Sequence, residues 1–160
     1  MIAVIDDHHT QAIQQSDQPV RDRSDGFVWP TTIDSATGNV HLPLGESIDA
    51  LIMHAGFAGE VNNFLARHML RTPVIVVPGD PDDWIFLTQP RTTMRQSSWD
   101  DLIRIGVGWK RRGDTILLPA VCHVENGVRW LQRPQPNMTL PPWTAVAGAA
   151  RLTSSLRGRR

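Results

Sequence analysis

The sequence predicts an α+β fold: a mostly antiparallel central sheet flanked by one long and one or two short helices. Three observations predict it. Val74-Ile75-Val76-Val77 and Trp84-Ile85-Phe86-Leu87 are apolar runs without polar alternation, the pattern of strands covered on both faces. Between them, Pro78-Gly79-Asp80-Pro81-Asp82-Asp83 collects residues that fix φ, allow positive φ or bond their own backbone, which makes a turn. Phe57, Val61, Phe64, Leu65, Met69 and Leu70 recur at helical spacing, so an amphipathic helix is expected over Gly56 to Arg71, ending before Pro73. A hairpin over Pro73 to Thr88 is therefore the centre around which the chain is arranged.

The remaining elements follow in order. Residues 1–26 are rich in Gln, Asp, Ser and Arg and are expected to form a flexible arm, with at most a short strand at Ile2 to Ile5. Phe27 to Ile33 and Val40 to Leu44 read as two strands joined by the turn residues Asp34 to Asn39. Asp49 to Met53 is a third short strand. Ser98-Trp99-Asp100-Asp101 has the form of a capping box and opens a short helix through Leu102, Ile103 and Ile105. Thr115 to Pro119 is a strand, and Val121 to Val124 pairs with Val128 to Leu131 through Glu125-Asn126-Gly127. The Pro-rich stretch 134–143 wraps the body without pairing, and Trp143 to Leu152 closes it as a short helix. The domain is thus expected over residues 27–152, with 153–160 as a disordered basic tail.

Composition narrows the class. At 160 residues one domain suffices, burying roughly two-thirds of its unfolded surface. The single Cys122 excludes an intramolecular disulfide framework and fits a reducing cytoplasm. The opening MIAVIDDHH is too short and too soon charged for a signal peptide, and no apolar run reaches the roughly 18 residues of a membrane span. Net charge is zero but unevenly spread. Residues 1–103 hold 14 Asp and Glu against 6 Arg, a balance of −8; residues 104–160 hold 9 Arg and Lys110 against Asp114 and Glu125, a balance of +8. A basic final third implies an anionic partner: nucleic acid, a partner protein, or the chain's own acidic half.

Four sets of residues could carry chemistry or binding. Asp80, Asp82 and Asp83 concentrate carboxylates at one hairpin tip, the residue type that holds Mg²⁺ in phosphoryl transfer; the same residues also suit an exposed turn. Lys110, Arg111 and Arg112 beside Trp109, Arg129 beside Trp130, Arg133, and the tail residues Arg157, Arg159 and Arg160 combine cations for phosphates with flat rings for bases. Cys122 and His123 are neighbours on a strand, so their side chains point to opposite faces and do not form a nucleophile and base together. Asp6-Asp7-His8-His9 reads as a solvated polar patch, His41 faces solvent, and His54 and His68 are spaced too widely for a helical metal pair.

Gly113-Asp114-Thr115-Ile116-Leu117-Leu118-Pro119, then Gly127-Val128-Arg129-Trp130-Leu131 and Leu140-Pro141-Pro142-Trp143, resemble the close of the bifunctional DNA primase/polymerase N-terminal (prim-pol) domain of the archaeo-eukaryotic primase superfamily. Trp84 to Thr88 is similar to the family's central strand and Asp49 to Met53 to its first catalytic strand, so that the likeness spans roughly residues 27–143. The resemblance implies a link to nucleic acid. It also marks departures: Ile85 stands where the family strand carries a catalytic His, and of the metal-holding Asp-x-Asp pair only Asp49 is present. The expected function is a non-catalytic, nucleic-acid-associated binding module with no cofactor. The alternatives are a Mg²⁺-dependent nucleotidyl transferase using Asp80, Asp82 and Asp83, and a protein-interaction module whose acidic and basic halves pair between copies.

Overall fold

The computed structural model describes residues 29–119 and 127–159. The central hairpin forms as expected. β4 (Val74–Val77) and β5 (Asp83–Thr88) pair antiparallel, from Val74 opposite Phe86 to Val77 opposite Asp83. With β3 (Asp49–His54), β6 (Gly108–Trp109) and β8 (Arg129–Gln132) they make a five-stranded antiparallel sheet in the order β6-β3-β5-β4-β8, with β5 in the middle.

A second sheet joins β1 (Thr32–Ile33), β2 (Val40–Pro43) and β7 (Thr115–Leu117) in the order β1-β2-β7. Three helices complete the fold: α1 (Ala55–Arg67), α2 (Gln96–Arg104) and α3 (Trp143–Arg157). The fold class is α+β, with two sheets in place of the single one expected.

The succession β3-α1-β4-β5-α2-β6, with β5 between the parallel strands β3 and β4, is the split βαβ arrangement of ferredoxin-like domains. β8 adds a fifth strand outside β4. Because side chains alternate along a strand, this sheet buries two separate cores. Leu51, Met53, Val74 and Phe86 face the helices and pack with Val61 and Leu65 of α1, Leu102 of α2 and Trp143 and Val146 of α3. Ala50, Ile75, Ile85 and Leu87 face the other way, onto Leu42, Leu44, Ile48 and Ile116 around the small sheet. Each fully buried Leu, Ile, Val or Phe side chain contributes roughly 1.5–3 kcal/mol, which explains why the central runs lack polar alternation.

Several boundaries differ from expectation for identifiable reasons. α1 stops at Arg67, four residues early, in a Schellman turn: the Met69 N–H donates to the Ala66 carbonyl and the Leu70 N–H to the Leu65 carbonyl. Such a turn needs a left-handed residue, and here that residue is Met69, at φ 57°. The Ser98 capping box is not used. α2 begins two residues earlier, after Arg95, so Ser98 already lies inside the helix and no side chain caps it. α3 runs five residues past Leu152, because Thr153 remains on its buried face; residues 153–157 are therefore helical. The arm 1–26, Asp6 to His9, Cys122, His123 and the strand expected over Val121 to Val124 lie outside the described residues. Among the described residues, no helix is long and apolar enough to cross a membrane.

Candidate functional site

The carboxylates of the acidic hairpin tip are spread over separate partners. Asp82 accepts the Gly79 N–H at 3.1 Å through Oδ1 and faces Arg129 Nη2 at 3.5 Å through Oδ2. Asp83 Oδ1 meets His54 Nδ1 at 2.7 Å, and the two residues are direct cross-strand partners. Asp80 is exposed at the turn, next to the cis Asp80-Pro81 bond. Each of the two inner carboxylates is thus engaged by a different basic side chain. Among the described residues, no three His, Cys, Asp or Glu side chains gather where one ion could be held.

Asp49, which the prim-pol resemblance places on the first catalytic strand, is engaged within the protein. It is 0 % exposed at the start of β3. One carboxylate oxygen accepts the Ala50 N–H at 3.0 Å; the other accepts Arg91 Nε at 2.8 Å and the Arg91 N–H at 3.3 Å. Arg91 also donates through Nη2 to the Lys110 carbonyl at 2.8 Å and lies 5.5 Å from the centre of the Trp143 ring. One guanidinium therefore ties β3, the loop after β5, the end of β6 and the start of α3. Both oxygens of Asp49 are occupied by protein donors, and Ile85 is buried among Ala50, Ile75 and Leu87.

The expected basic surface is divided. Trp109 and Lys110 lie at the β6 edge of the large sheet and Arg129 and Trp130 at the β8 edge, four strand spacings or about 19 Å apart. The rings are also packed inward on opposite faces. Trp109 lies 4.9 Å from Trp99 on the helix side, and Trp130 lies 6.5 Å from Trp29 on the small-sheet side. Both rings are half-buried against the sheet.

Three of the predicted cations are held within the chain as well. Arg112 Nε donates to the Gly45 carbonyl at 2.9 Å, Arg129 faces Asp82, and Arg157 pairs with Glu60 at 3.0 Å while lying 5.5 Å over Phe57. Arg151 likewise bridges to Asp101 at 2.7 Å. The excess of base in the final third is thus spent partly on acids of the first two-thirds, inside one molecule. Lys110 and Arg111 keep exposed side chains at the β6 end, Arg133 is exposed beyond β8, and Arg159 is exposed past the end of α3. Arg160 lies outside the described residues.

What the structure brings together is a groove that the sequence did not reveal. It encloses about 500 Å³ between one face of α1 and the end of β8, lined by Asn62, Ala66, Leu70 and Arg71 on one side and Leu131, Gln132, Arg133 and Gln135 on the other. Asn62 and Ala66 are four residues apart, on a face of α1 distinct from the Ala58, Val61 and Leu65 positions buried on the sheet. Arg71 and Arg133 are both exposed, and among the described residues neither has a hydrogen bond or an ion pair. Among the described residues, no carboxylate lines the groove. Arg71 carried no motif, and its partner residue lies 62 positions away, so only the tertiary fold joins them.

Electrostatics elsewhere are ordinary surface effects. Hydrogen bonds from Arg104 and Arg151 lower the pKa of Asp101 below its usual 3.8, and the Ala36 N–H and Thr37 hydroxyl lower that of Asp34.

The fold and its site define a small split-βαβ domain with a cationic groove at one sheet edge. Comparison with protein-family models, with curated proteins and with solved structures found no match to this chain.

Proposed function

We propose that the chain is a non-catalytic binding module that takes an anionic partner through the groove between α1 and β8. The observation that carries this reading is the pair Arg71 and Arg133, two guanidinium groups in one groove where, among the described residues, neither has a partner and no carboxylate is part of the lining. Two exposed arginines without counter-ions among the described residues attract carboxylate or phosphate, which both present the bidentate geometry that guanidinium matches. The described residues carry 13 Arg and Lys against 10 Asp and Glu, so the field of the folded body favours anions too.

The absence of chemistry in this reading rests on how the candidate carboxylates are occupied. Asp49 is closed off by Arg91, Asp82 faces Arg129 and Asp83 meets His54. The pairing of acidic and basic halves between copies receives less support, since Arg129, Arg151 and Arg157 find acids in their own chain.

The test is a fluorescence-polarisation titration with labelled single-stranded DNA, duplex DNA and polyglutamate between about 50 and 200 mM salt. At least one of these polyanions is expected to bind in a salt-sensitive way. The double variant Arg71→Glu, Arg133→Glu should weaken that binding by at least about tenfold while leaving the circular-dichroism spectrum unchanged. No binding at low salt, or binding that the charge reversals leave intact, refutes the groove as the site.

A further inference from the structure

α3 contains no Asp or Glu. Its inner side packs Val146, Ala147 and Ala150 into the helix-side core. On the side turned away from that core, Ala145, Gly148, Leu152 and Leu156 follow one another at spacings of three and four residues and form one stripe. The outer face of a surface helix ordinarily carries charged and polar side chains at such positions. Leu152 is 54 % exposed and Leu156 51 % exposed, and a Cβ built on Gly148 would meet nothing within 4 Å, so the stripe is open to an approaching surface. Trp29, Leu118 and Val128, next to residues 1–28 and 120–126, pack on the other face of the large sheet.

The surroundings of the stripe are cationic. The helical segments 55–72, 95–106 and 143–159 hold seven Arg against three Asp and Glu, a balance of +4. Beside Leu156, a cavity of about 280 Å³ opens between α3 and α1, with Arg67, Phe64 and Thr153 in its lining. Arg157 and Glu60, also in the lining, already pair with each other, whereas among the described residues the exposed Arg67 has neither a hydrogen bond nor an ion pair. Thr153 is 6 % exposed, and its hydroxyl has no hydrogen-bond partner among the described residues. A buried hydroxyl left unbonded is costly, so the cavity favours an occupant that brings an acceptor oxygen.

We propose that this side of the molecule docks on the surface of an anionic phospholipid bilayer, with Leu152 and Leu156 entering the interface and a headgroup phosphate held at Arg67. Aliphatic side chains on one face of a helix, flanked by arginines, are the combination that an acyl boundary under negative headgroups recognises. α3 lies in the plane of the interface and does not cross it, because its inner side stays on the core and its 15 residues fall short of a span. Charge argues against a second copy as the occupant, since two copies face to face would bring like-charged helical layers together. Nucleic acid would engage the arginines but would leave the two leucines in water. The site is separate from the groove between α1 and β8 and does not depend on it.

The experiment is co-sedimentation of the full chain with vesicles of phosphatidylcholine alone and of phosphatidylcholine mixed with phosphatidylglycerol. Binding is expected on the mixed vesicles at low salt and not on the neutral ones. Leu152→Ser with Leu156→Ser should lower the partition coefficient by at least about tenfold with an unchanged circular-dichroism spectrum, since both side chains are already half exposed. Arg67→Gln with Arg159→Gln should lower it by at least about fivefold. Absence of binding to either vesicle, or equal binding to both, overturns the proposal. Binding to the mixed vesicles that the leucine variant leaves intact overturns it as well and reduces the contact to charge alone. A dimer in light scattering that the leucine variant abolishes, without vesicle binding, assigns the stripe to a second copy instead.

Discussion

Replacing Met69 with glycine is expected to stabilise the protein. Met69 closes the Schellman turn after α1 at φ 57°, a conformation in which an L-residue with a Cβ costs about 1–2 kcal/mol. Glycine removes that cost but gains freedom in the unfolded chain, which takes back about 0.4–1 kcal/mol. No packing is lost, because the side chain is 91 % exposed. The net gain is then about 0.5–1 kcal/mol, and for a domain of this size it raises the melting temperature by about 1–4 °C.

Thermal unfolding followed by circular dichroism measures it, with Met69→Ala as the control. Alanine keeps the backbone conformation and should change stability by less than about 0.5 kcal/mol. A glycine variant that melts with or below the wild type would show that the left-handed turn is not strained.

Other expectations follow from the ion pairs. Arg91→Ala leaves the buried carboxylate of Asp49 without its main partner; since Arg91 is itself partly exposed and backbone donors remain, the loss should be about 2–3 kcal/mol. Urea denaturation would show this as a midpoint about 1–1.5 M lower, and an unchanged midpoint would contradict the role given to the pair. Asp101 has a pKa below its unfolded value, so its contribution to stability is present above that unfolded value and is lost as pH falls through the folded one. An NMR titration of its carboxyl should give a midpoint under 3.8, and Asp101→Asn should flatten the acid limb of the stability curve. A midpoint at or above that value would mean that Arg104 and Arg151 do not hold the carboxylate in solution.

How much of this could be read from the chain depended on the range of each interaction. The β4–β5 hairpin was legible because its strands and turn are contiguous, and α1 because its apolar positions repeat every three to four residues. The end of α1 was not, since the apolar spacing continues through Met69 and Leu70 while the backbone has already turned. The start of α2 was misplaced as well: Ser98 has a good capping side chain, but the helix begins at Gln96 with Arg95 at its N-cap and uses no side-chain cap. The basic cluster around Lys110 and Arg129 looked like one surface in sequence because both stretches pair cations with tryptophan. Strand order sends them to opposite edges, and strand order is decided by contacts between distant segments. Asp49 and Arg91 are 42 residues apart and Arg71 and Arg133 are 62 apart, distances over which local pattern carries no signal.

The two apolar faces of the large sheet have a consequence for how its strands find their alignment. In a sheet with one wet face, slipping a strand by one residue drives its apolar side chains into water, and that penalty fixes the register. β3 has no such safeguard, because a slip would exchange Leu51 and Met53 for Ala50 and Ile52 and leave both sets buried. What distinguishes the correct alignment is polar and sits at the two ends of the strand: Asp49 opposite Thr88, held by Arg91, and His54 opposite Asp83, bonded across the pair. These polar pairs thus act as markers of alignment. In Arg91→Ala one marker is released, and the amide spectrum is expected to divide into two sets of cross-peaks; a single set would assign the alignment to the difference in volume between Ala50 and Met53.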